Sequence, residues 1–358
     1  MSKKNKMYKE HYDVTRLLSA KDADGNPPAF LIVCSKLRGP GKTYSISKFL
    51  YNDFIDNGHK FILLTRNMGD LGNIADGIFE GYLQQEHPDI HMSEKIQMKG
   101  VFSKVFMEKG LGDEKEVTEC GYVIPIRAAD QIKKISSLFY DTETFYMDEF
   151  QPMNQSVYLK DEVSLLYNIY KSIARGKGSA TRYMRIIMAS NTINLDNPYF
   201  RALDLSSKIQ SNTKFYRGKG VVFERCEVEG LQEQHESQPI DKALEKHIKA
   251  NLSNDWLNDD NSLVCKADRW GRAIYICTLL YNNEQLAVYE YPATGMTYVS
   301  RVVDKSCKYI YNLTVDSNLN IPLIRSATVL EQFRKKLFTG RVRCSDNGIQ
   351  NILRECFL

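Results

Sequence analysis

The segment from residue 29 to residue 57 constrains the fold of this chain more than any other. Its first part, Ala29–Cys34, is a continuous apolar run, as expected for a short strand that is buried on both faces. The loop that follows ends in Gly41-Lys42-Thr43, and apolar residues at helical spacing continue from there to Asn57. This order of strand, glycine-containing loop and helix is the setting of a phosphate-binding loop, so the sequence predicts a nucleotide-binding α/β domain.

The residue types in the loop fit the binding of phosphate. Glycines let backbone N–H groups approach phosphate oxygens, and the helix N-terminus adds partial positive charge. Lys42 would reach the β- and γ-phosphates, and the Thr43 hydroxyl would ligate Mg²⁺. Lys36 stands where the motif has its first glycine, which brings an extra cation to the loop. A glycine-rich turn that merely precedes a lysine is the alternative, but the flanking strand and helix favour a nucleotide site. The predicted nucleotide-binding residues are Arg38, Gly39, Gly41, Lys42 and Thr43.

Two carboxylates follow a second apolar strand. Phe145–Met147 ends in Asp148 and Glu149. Adjacent carboxylates at the carboxyl end of a buried strand are costly unless a cation or a solvated cleft receives them. We expect Asp148 to hold the Mg²⁺ shell and Glu149 to polarise an attacking water, which favours hydrolysis over transfer to a small acceptor. A strand that simply exits into an acidic turn is the alternative, and the upstream phosphate loop makes it the weaker one.

A third strand, Met184–Ala189, ends in Ser190 and Asn191. We predict that these polar residues sense the γ-phosphate. An asparagine in a tight turn explains the local sequence equally well.

Arg175 follows a segment of helical spacing, Val163–Ile173, and precedes Gly-Lys-Gly. An arginine at such a position can reach the nucleotide of a neighbouring subunit. By itself the local sequence favours a cation that interacts with the helix dipole. Arg182 and Arg185 are weaker candidates for the same role, and Lys177 is a candidate contact to nucleic-acid phosphates.

The order of patterns divides the chain. Strands and helices alternate up to about residue 210, which predicts a mainly parallel sheet, with short antiparallel strands inserted at 92–127. From 273 to 303 three alternating runs with tight breaks predict an antiparallel meander, closed by helices at 327–338 and 349–357. We therefore predict an ATPase-like domain at 1–215, a linker at 216–240 that precedes a candidate helix at 240–252, and an α+β domain at 241–358.

The second domain carries a basic cluster, defined as Arg334, Lys335, Lys336, Arg341 and Arg343. We predict that this basic cluster contacts DNA, RNA or an acidic partner, and a solvated helix face is an equally good explanation. The long strand Ala273–Tyr281 has no central carboxylate, so no two-metal nuclease is expected.

Composition narrows the class of protein. Lys plus Arg is 48 and Asp plus Glu is 44, a net charge of +4, so a nucleic-acid surface would have to be local. No apolar run has the length of a membrane span. The 8 cysteines form no C-x-x-C pair, so neither a zinc site nor a disulfide framework is expected.

In combination, these segments resemble the DNA-packaging ATPases of phi29-type tailed bacteriophages, small relatives of the large terminases. The matching pieces, in order, are RGPGKT (38–43), KFILLTR (60–66), GYVIPI (121–126), FYMDEF (145–150), DEVSLLYNIYKSIAR (161–175) and MRIIMASNTINLDNPYF (184–200). The resemblance covers residues 29–205 well and rests mainly on domain order beyond residue 220.

The resemblance implies an additional-strand (ASCE) P-loop ATPase domain and a C-terminal domain like a degenerate RNase H-type nuclease. It implies ATP and Mg²⁺ as cofactors, Asp148 as the metal carboxylate, Glu149 as the catalytic glutamate and Arg175 as a finger acting in trans. The expected assembly is a homomeric ring, by resemblance a pentamer, that docks on the portal of a prohead in the host cytoplasm. This ring would drive double-stranded DNA inward, and a structural RNA is a further partner that the resemblance leaves open.

Two other classes of function stay open on the sequence. One is a different ASCE ATPase, such as a helicase or a AAA-type remodeller, which would act on single strands or proteins. The other is a nucleotide-gated DNA-binding module without significant turnover.

Overall fold

A computed structural model describes residues 8, 10–110, 115–152, 157–175, 182–192, 194–195, 197–206, 208–209, 213–231, 233, 263–268, 270–281, 284–313, 321–323 and 328–357. Internal contacts divide the chain into two compact units. The first unit comprises residues 1–193 and 211–257, and the second comprises 194–210 and 258–358.

The strands of the first unit are β1 (Phe30–Ser35), β2 (Lys60–Thr65), β3 (Ile90–Gln97), β4 (Phe102–Lys109), β5 (Glu116–Pro125), β6 (Thr142–Met147), β7 (Arg185–Asn191), β8 (Phe215–Gly218) and β9 (Val221–Cys226). Its helices are α1 (Thr15–Leu18), α2 (Lys42–Asn57), α3 (Ile74–Glu86), α4 (Ala129–Lys134) and α5 (Glu162–Ile173), with 3₁₀ turns at Met68–Asp70, Ile126–Ala128 and Ser136–Phe139. The second unit contains α6 (Pro198–Ala202), β10 (Ile274–Tyr281), β11 (Glu284–Tyr291), β12 (Met296–Ser300), β13 (Ile310–Asn312), α7 (Thr328–Phe338), β14 (Val342–Cys344) and α8 (Asn347–Phe357).

The first sheet has the strand order β3-β4-β5-β2-β6-β7-β1-β9-β8. Pairing is parallel from β5 through β2, β6, β7 and β1 to β9, and antiparallel at the two outer edges. Strand β7 lies between β1, which precedes the phosphate loop, and β6, which precedes the two carboxylates. This is the additional strand that the resemblance implies, so the predicted α/β class with a mainly parallel sheet is confirmed.

Alternation along the central strands divides their side chains between two layers. Leu31 and Val33 of β1 share one buried cluster with Ile46 of α2 and Phe79 of α3. On β6, the ring of Phe145 packs at 5.8 Å from that of Tyr170 on α5. Both faces of the parallel sheet are therefore covered, which explains the continuous apolar runs of β1 and β6.

The segment at residues 11–18, called the N-terminal segment, joins this core, which the polar sequence of residues 1–28 does not suggest. Tyr12 and Leu17 are fully buried among α2 and β9 residues. The Tyr12 amide donates to the Pro40 carbonyl at 2.7 Å, and the Val14 amide donates to the Ser45 hydroxyl at 2.9 Å. The segment thus supports the phosphate loop and the first turn of α2.

The second unit contains a five-stranded sheet with the order β13-β10-β11-β12-β14. The antiparallel meander of β10, β11 and β12 is confirmed, and β13 pairs in parallel with β10. A meander with a fourth strand parallel to its first is the arrangement expected of an RNase H-type sheet. Strand β14 pairs in parallel with β12 instead of extending the β13 edge. Phe333 and Leu337 of α7 and Ile349 and Leu353 of α8 fill the core of this unit.

Three predicted boundaries differ from the structure. Strand β9 pairs with β1 in the large sheet and β8 pairs with β9, so the linker predicted at 216–240 begins too early. Residues 194–210 belong to the second unit and not to a domain at 1–215. The apolar spacing from residue 68 to 83 predicts one helix there, whereas α3 begins only at Ile74, because Met68–Asp70 forms a separate 3₁₀ turn and Gly72 has a φ of 118°. The candidate helix at 240–252 lies outside the described residues.

Candidate active site

The loop between β1 and α2 has the backbone that its glycines predict. Gly39 and Gly41 both have positive φ, 81° and 86°. A side chain is strained in this region, whereas glycine adopts it freely. A Cβ on Gly41 would also lie 3.2 Å from the Cβ of His11, while one on Gly39 would meet no atom within 4 Å. Gly41 therefore serves both the turn and the packing of the N-terminal segment.

Lys42 is the first residue of α2, and only 7% of it is exposed. Its Nζ donates to the Asn191 Oδ1 at 3.2 Å and to the Ser35 hydroxyl. Both partners are uncharged oxygens at the ends of the neighbouring strands β1 and β7. Burial lowers the pKa of the Lys42 ammonium, although the carboxylates of Asp148 and Glu149 oppose that shift. The charged form of Lys42 is thus destabilised by desolvation, and an anionic ligand would stabilise it.

Thr43 and Asp148 lie side by side, as their predicted roles require. The Thr43 Oγ1 donates to the Asp148 Oδ2 at 2.9 Å. Burial raises the pKa of the Asp148 carboxyl, and the hydrogen bonds from Thr43 and the Glu149 amide lower it in part. A threonine hydroxyl beside a half-buried carboxylate offers the kind of oxygen donors that Mg²⁺ prefers.

Glu149 lies on a strained turn directly after β6. Its φ is 47°, and its amide donates to the Asp148 Oδ1 at 3.0 Å. A non-glycine residue in this region persists where the surroundings over-determine it, which occurs most at functional sites. The turn exposes the Glu149 side chain at a cleft of about 180 Å³ lined by Arg38, Gly39, Pro40, Lys42, Thr43, Asp148, Glu149, Ser190 and Asn191. Most of the predicted nucleotide, metal and sensor residues therefore meet at one place.

The two predicted sensors differ in what they contact. Asn191 touches Lys42 directly, and its Oδ1 also accepts from the Ser35 hydroxyl at 3.3 Å. The Ser190 hydroxyl is buried and donates to the Asn191 carbonyl at 2.6 Å. Asn191 thus contacts the lysine that is predicted to bind phosphate, whereas the Ser190 hydroxyl bonds to the backbone at the end of β7. Lys36 is not among the residues that line the cleft; it lines a neighbouring cavity of about 330 Å³ with Arg225 and Glu227.

Sequence reasoning missed the residues that support this site from β2 and α5. Arg66 follows β2, and its Nε lies 3.1 Å from the Glu162 Oε2. Its Nη1 donates to the Glu149 carbonyl at 3.5 Å, and its Nη2 donates to the Phe150 carbonyl. The only sequence signal was the arginine that ends the quoted KFILLTR strand.

Of the arginines considered for a role in trans, Arg175 is exposed and lies two residues beyond the end of α5. Arg182 and Arg185 are both half-buried. Arg182 donates to the carbonyls of Thr142 and Ile173 at 3.0 and 3.3 Å, and the Arg185 guanidinium lies 5.5 Å from the centre of the Phe49 ring. Arg182 and Arg185 therefore make their contacts within their own subunit. Lys177 lies outside the described residues.

The basic cluster of the second unit is divided by its contacts. Arg334, Lys335 and Arg341 are exposed. Lys336 pairs with Glu290, and Arg343 donates to the Gly340 carbonyl at 2.7 Å. Among the described residues, no group of three or more His, Cys, Asp or Glu side chains is placed to hold a metal ion.

The comparison with protein families decides the relationship. The family described as Podovirus DNA encapsidation protein (Gp16) matches residues 9–358. The chain belongs to this family. The resemblance to phi29-type packaging proteins is thereby confirmed, and encapsidation of viral DNA is its function. The chain is 24% identical to the DNA packaging protein of Bacillus phage phi29 over 327 residues, which cover 89% of this chain and 91% of that protein. It is 23% identical to that of Bacillus phage B103 over 311 residues, 86% and 87% of the two chains.

Solved structures show the same fold over nearly the whole chain. A chain of the bacteriophage Phi-29 viral genome packaging motor assembly is 24% identical and matches with a TM-score of 0.68, covering 97% of this chain and 98% of that one. The Phi-28 gp11 DNA packaging motor is 15% identical and matches with a TM-score of 0.56, covering 97% and 96%. In the part of the chain that the structure describes, no helix has the length and apolar character needed to cross a bilayer.

Proposed function

We propose that this member of the Gp16 family is an ATP hydrolase that uses Mg²⁺ and drives double-stranded DNA into a prohead. One observation carries the proposal: a buried cation, Lys42, and two carboxylates, Asp148 and Glu149, line the same cleft at the ends of three parallel strands. Lys42 and the loop amides bind the phosphates. Thr43 and Asp148 hold Mg²⁺, which when bound offsets phosphate charge. Glu149 accepts a proton from the attacking water.

The first experiment separates hydrolysis from binding. Glu149→Gln keeps the size of the side chain but removes the base, so nucleotide binds while steady-state turnover falls by at least ~10²-fold. Glu80→Gln is the matched control, since Glu80 is exposed on α3 and contacts Gln84 there. Near-normal turnover by Glu149→Gln would remove Glu149 from the catalytic role. Absence of turnover in the wild-type chain with DNA present would favour a nucleotide-gated binding module.

We further propose that the chain works as a homomeric ring, pentameric in the family's scheme, in which Arg175 completes the site of the next subunit. The support is the exposure of Arg175 beyond the end of α5, together with the motor assembly in which the Phi-29 chain of the same fold is found. An arginine supplied in trans contributes about 10³–10⁵ in rate.

Mixing two inactive variants tests the role of Arg175. Arg175→Ala is expected to fold and bind ATP yet to turn over little by itself. Mixed with Glu149→Gln, it regains part of its rate, because some interfaces then join an intact Arg175 to an intact Glu149. A rate that never exceeds the sum of the two variants, at any mixing ratio under assembly conditions, would refute action in trans.

The remaining partners belong to the same proposal. The exposed members of the basic cluster, Arg334, Lys335 and Arg341, are proposed to hold duplex DNA or the prohead portal, because cations without buried partners suit phosphate or acidic surfaces. Lys177 is proposed as a further DNA contact, and a structural RNA as a further ligand of the basic cluster. The proposed place of action is the portal of a prohead in the host cytoplasm.

A further inference from the structure

Arg66 connects the catalytic turn to the start of α5. We propose that Arg66 is a positioning residue for hydrolysis, which fixes the direction of the Glu149 side chain by holding the backbone on either side of it. This inference rests on the proposed function, because it assigns a role toward the same reaction. It goes beyond that function because Arg66 belongs to none of the phosphate, metal or sensor groups of the cleft.

The contacts of Arg66 point at the backbone of the turn. Its guanidinium donates to the carbonyls of Glu149 and Phe150, two successive residues that follow Asp148. Glu149 has the positive φ of a strained turn, and the Phe150 amide is held from the other side by the Ala189 carbonyl at 3.2 Å. Backbone donors and acceptors on both sides therefore fix the peptide that carries the catalytic carboxylate. A planar guanidinium with several fixed donors suits this task better than an ammonium.

The other side of the guanidinium is anchored by a buried charge. The side chains of Arg66 and Glu162 are 10% and 0% exposed, and they meet at 3.1 Å. The Glu162 Oε2 also accepts from the Leu159 amide at 2.8 Å, and the ring of Tyr158 lies 5.0 Å from the Arg66 guanidinium carbon. A buried arginine with these partners has little freedom, so the carbonyls that it holds share its rigidity.

The same ion pair relates the turn to the surface proposed to contact the next subunit. Glu162 is the first residue of α5, and Arg175 lies two residues after that helix ends. A 12-residue helix is about 18 Å long and moves as one body. The placement of Glu149 and that of Arg175 are therefore linked through one guanidinium and one helix.

The experiment measures turnover and nucleotide affinity for Arg66→Ala and Arg66→Lys. Loss of positioning lowers kcat of Arg66→Ala by at least ~10-fold and leaves the Kd for ATP within about threefold, since no cleft-lining group is removed. Arg66→Lys restores only part of kcat. Lys60→Ala is the matched control, because Lys60 lies at the opposite end of β2 and pairs with Glu119 and Asp141 at 2.7 and 2.8 Å. Lys60→Ala is expected to lower thermal stability as much as Arg66→Ala does, while kcat per folded protein is unchanged.

A second readout separates positioning from a general loss of structure. In a Glu149→Gln background there is no base to position, so adding Arg66→Ala changes the residual turnover by less than about twofold. The inference is overturned if kcat of Arg66→Ala equals that of wild type per folded protein. It is also overturned if the reductions in kcat caused by Arg66→Ala and by Glu149→Gln multiply in full in the double variant. Absence of turnover in wild type would instead refute the proposed function, so the two failures are distinguishable.

Discussion

Replacing Lys42 by methionine separates the stability of this protein from its function. Lys42 is 7% exposed, and the oxygens that its Nζ contacts on Ser35 and Asn191 are uncharged. Exchange of a poorly compensated buried charge for an apolar group of similar length is often neutral or stabilising, by about 1–4 kcal/mol. Carboxylates lie near Lys42, so we expect the lower end, about 1 kcal/mol, or a rise of about 2–4 °C in Tm.

Nucleotide affinity changes in the opposite direction. Removing one partner of a buried charged contact weakens binding by about 3–5 kcal/mol, which corresponds to a factor of about 10² to about 4 × 10³ in Kd. Lys48→Met is the matched control, because Lys48 is exposed on the same helix. Thermal unfolding without nucleotide and titration with a fluorescent ATP analogue measure the two effects.

The pH dependence of the Lys42→Met effect follows from the lowered pKa of Lys42. Between that lowered pKa and the usual value of 10.5, the unfolded chain holds a proton that the folded chain lacks. Wild-type stability therefore gains relative to Lys42→Met as the pH rises toward 10.5, and the advantage of the methionine variant narrows. If Lys42→Met is less stable than wild type at pH 7 and binds ATP as tightly as wild type does, the reasoning is refuted.

Three further predictions test other parts of the account. Gly41→Ala is expected to lower the free energy of unfolding by about 1–3 kcal/mol, and more than Gly39→Ala does, because only its Cβ crowds His11; equal losses in urea titrations would contradict this. Glu119→Gln is expected to destabilise the protein at pH 7, because hydrogen bonds from Lys104, Lys60 and Tyr122 outweigh desolvation and lower the Glu119 pKa to about 2. The difference in stability from wild type disappears as the pH falls from 4.5 through about 2, and a difference in stability that does not depend on pH would contradict this prediction. Charge reversal of the exposed members of the basic cluster is expected to weaken duplex DNA binding and to flatten its salt dependence, and unchanged DNA affinity and packaging would exclude that surface.

The local pattern around each strand end predicted most of the site. The phosphate loop, the pair Asp148-Glu149 and Asn191 were all found because polar residues followed apolar runs. The carboxyl ends of parallel strands meet at one edge of a sheet, so these predictions also placed the residues together. Strands β8 and β9 were missed because they follow a stretch without helical spacing and join the sheet beside β1, a neighbour that is distant in sequence.

The supporting residues could not be predicted in this way. Arg66 and Glu162 are 96 positions apart. Arg66 follows β2 and Glu162 begins α5, and the apolar pattern of each element is complete without them. Their contact depends on β2 pairing with β6 and on α5 starting beside the Glu149 turn, which is tertiary information. The same holds for Tyr12, whose amide binds the Pro40 carbonyl although its sequence surroundings are polar.

Hydrolysis at the cleft lined by Lys42, Asp148 and Glu149 is proposed to drive DNA into a prohead. The decisive assay is protection of duplex DNA from added nuclease, measured with proheads of the same phage. Wild type is expected to protect genome-length DNA only when ATP and Mg²⁺ are present, and Glu149→Gln to protect none although it binds ATP. Protection by Glu149→Gln equal to that of wild type, or protection without ATP, would contradict the account.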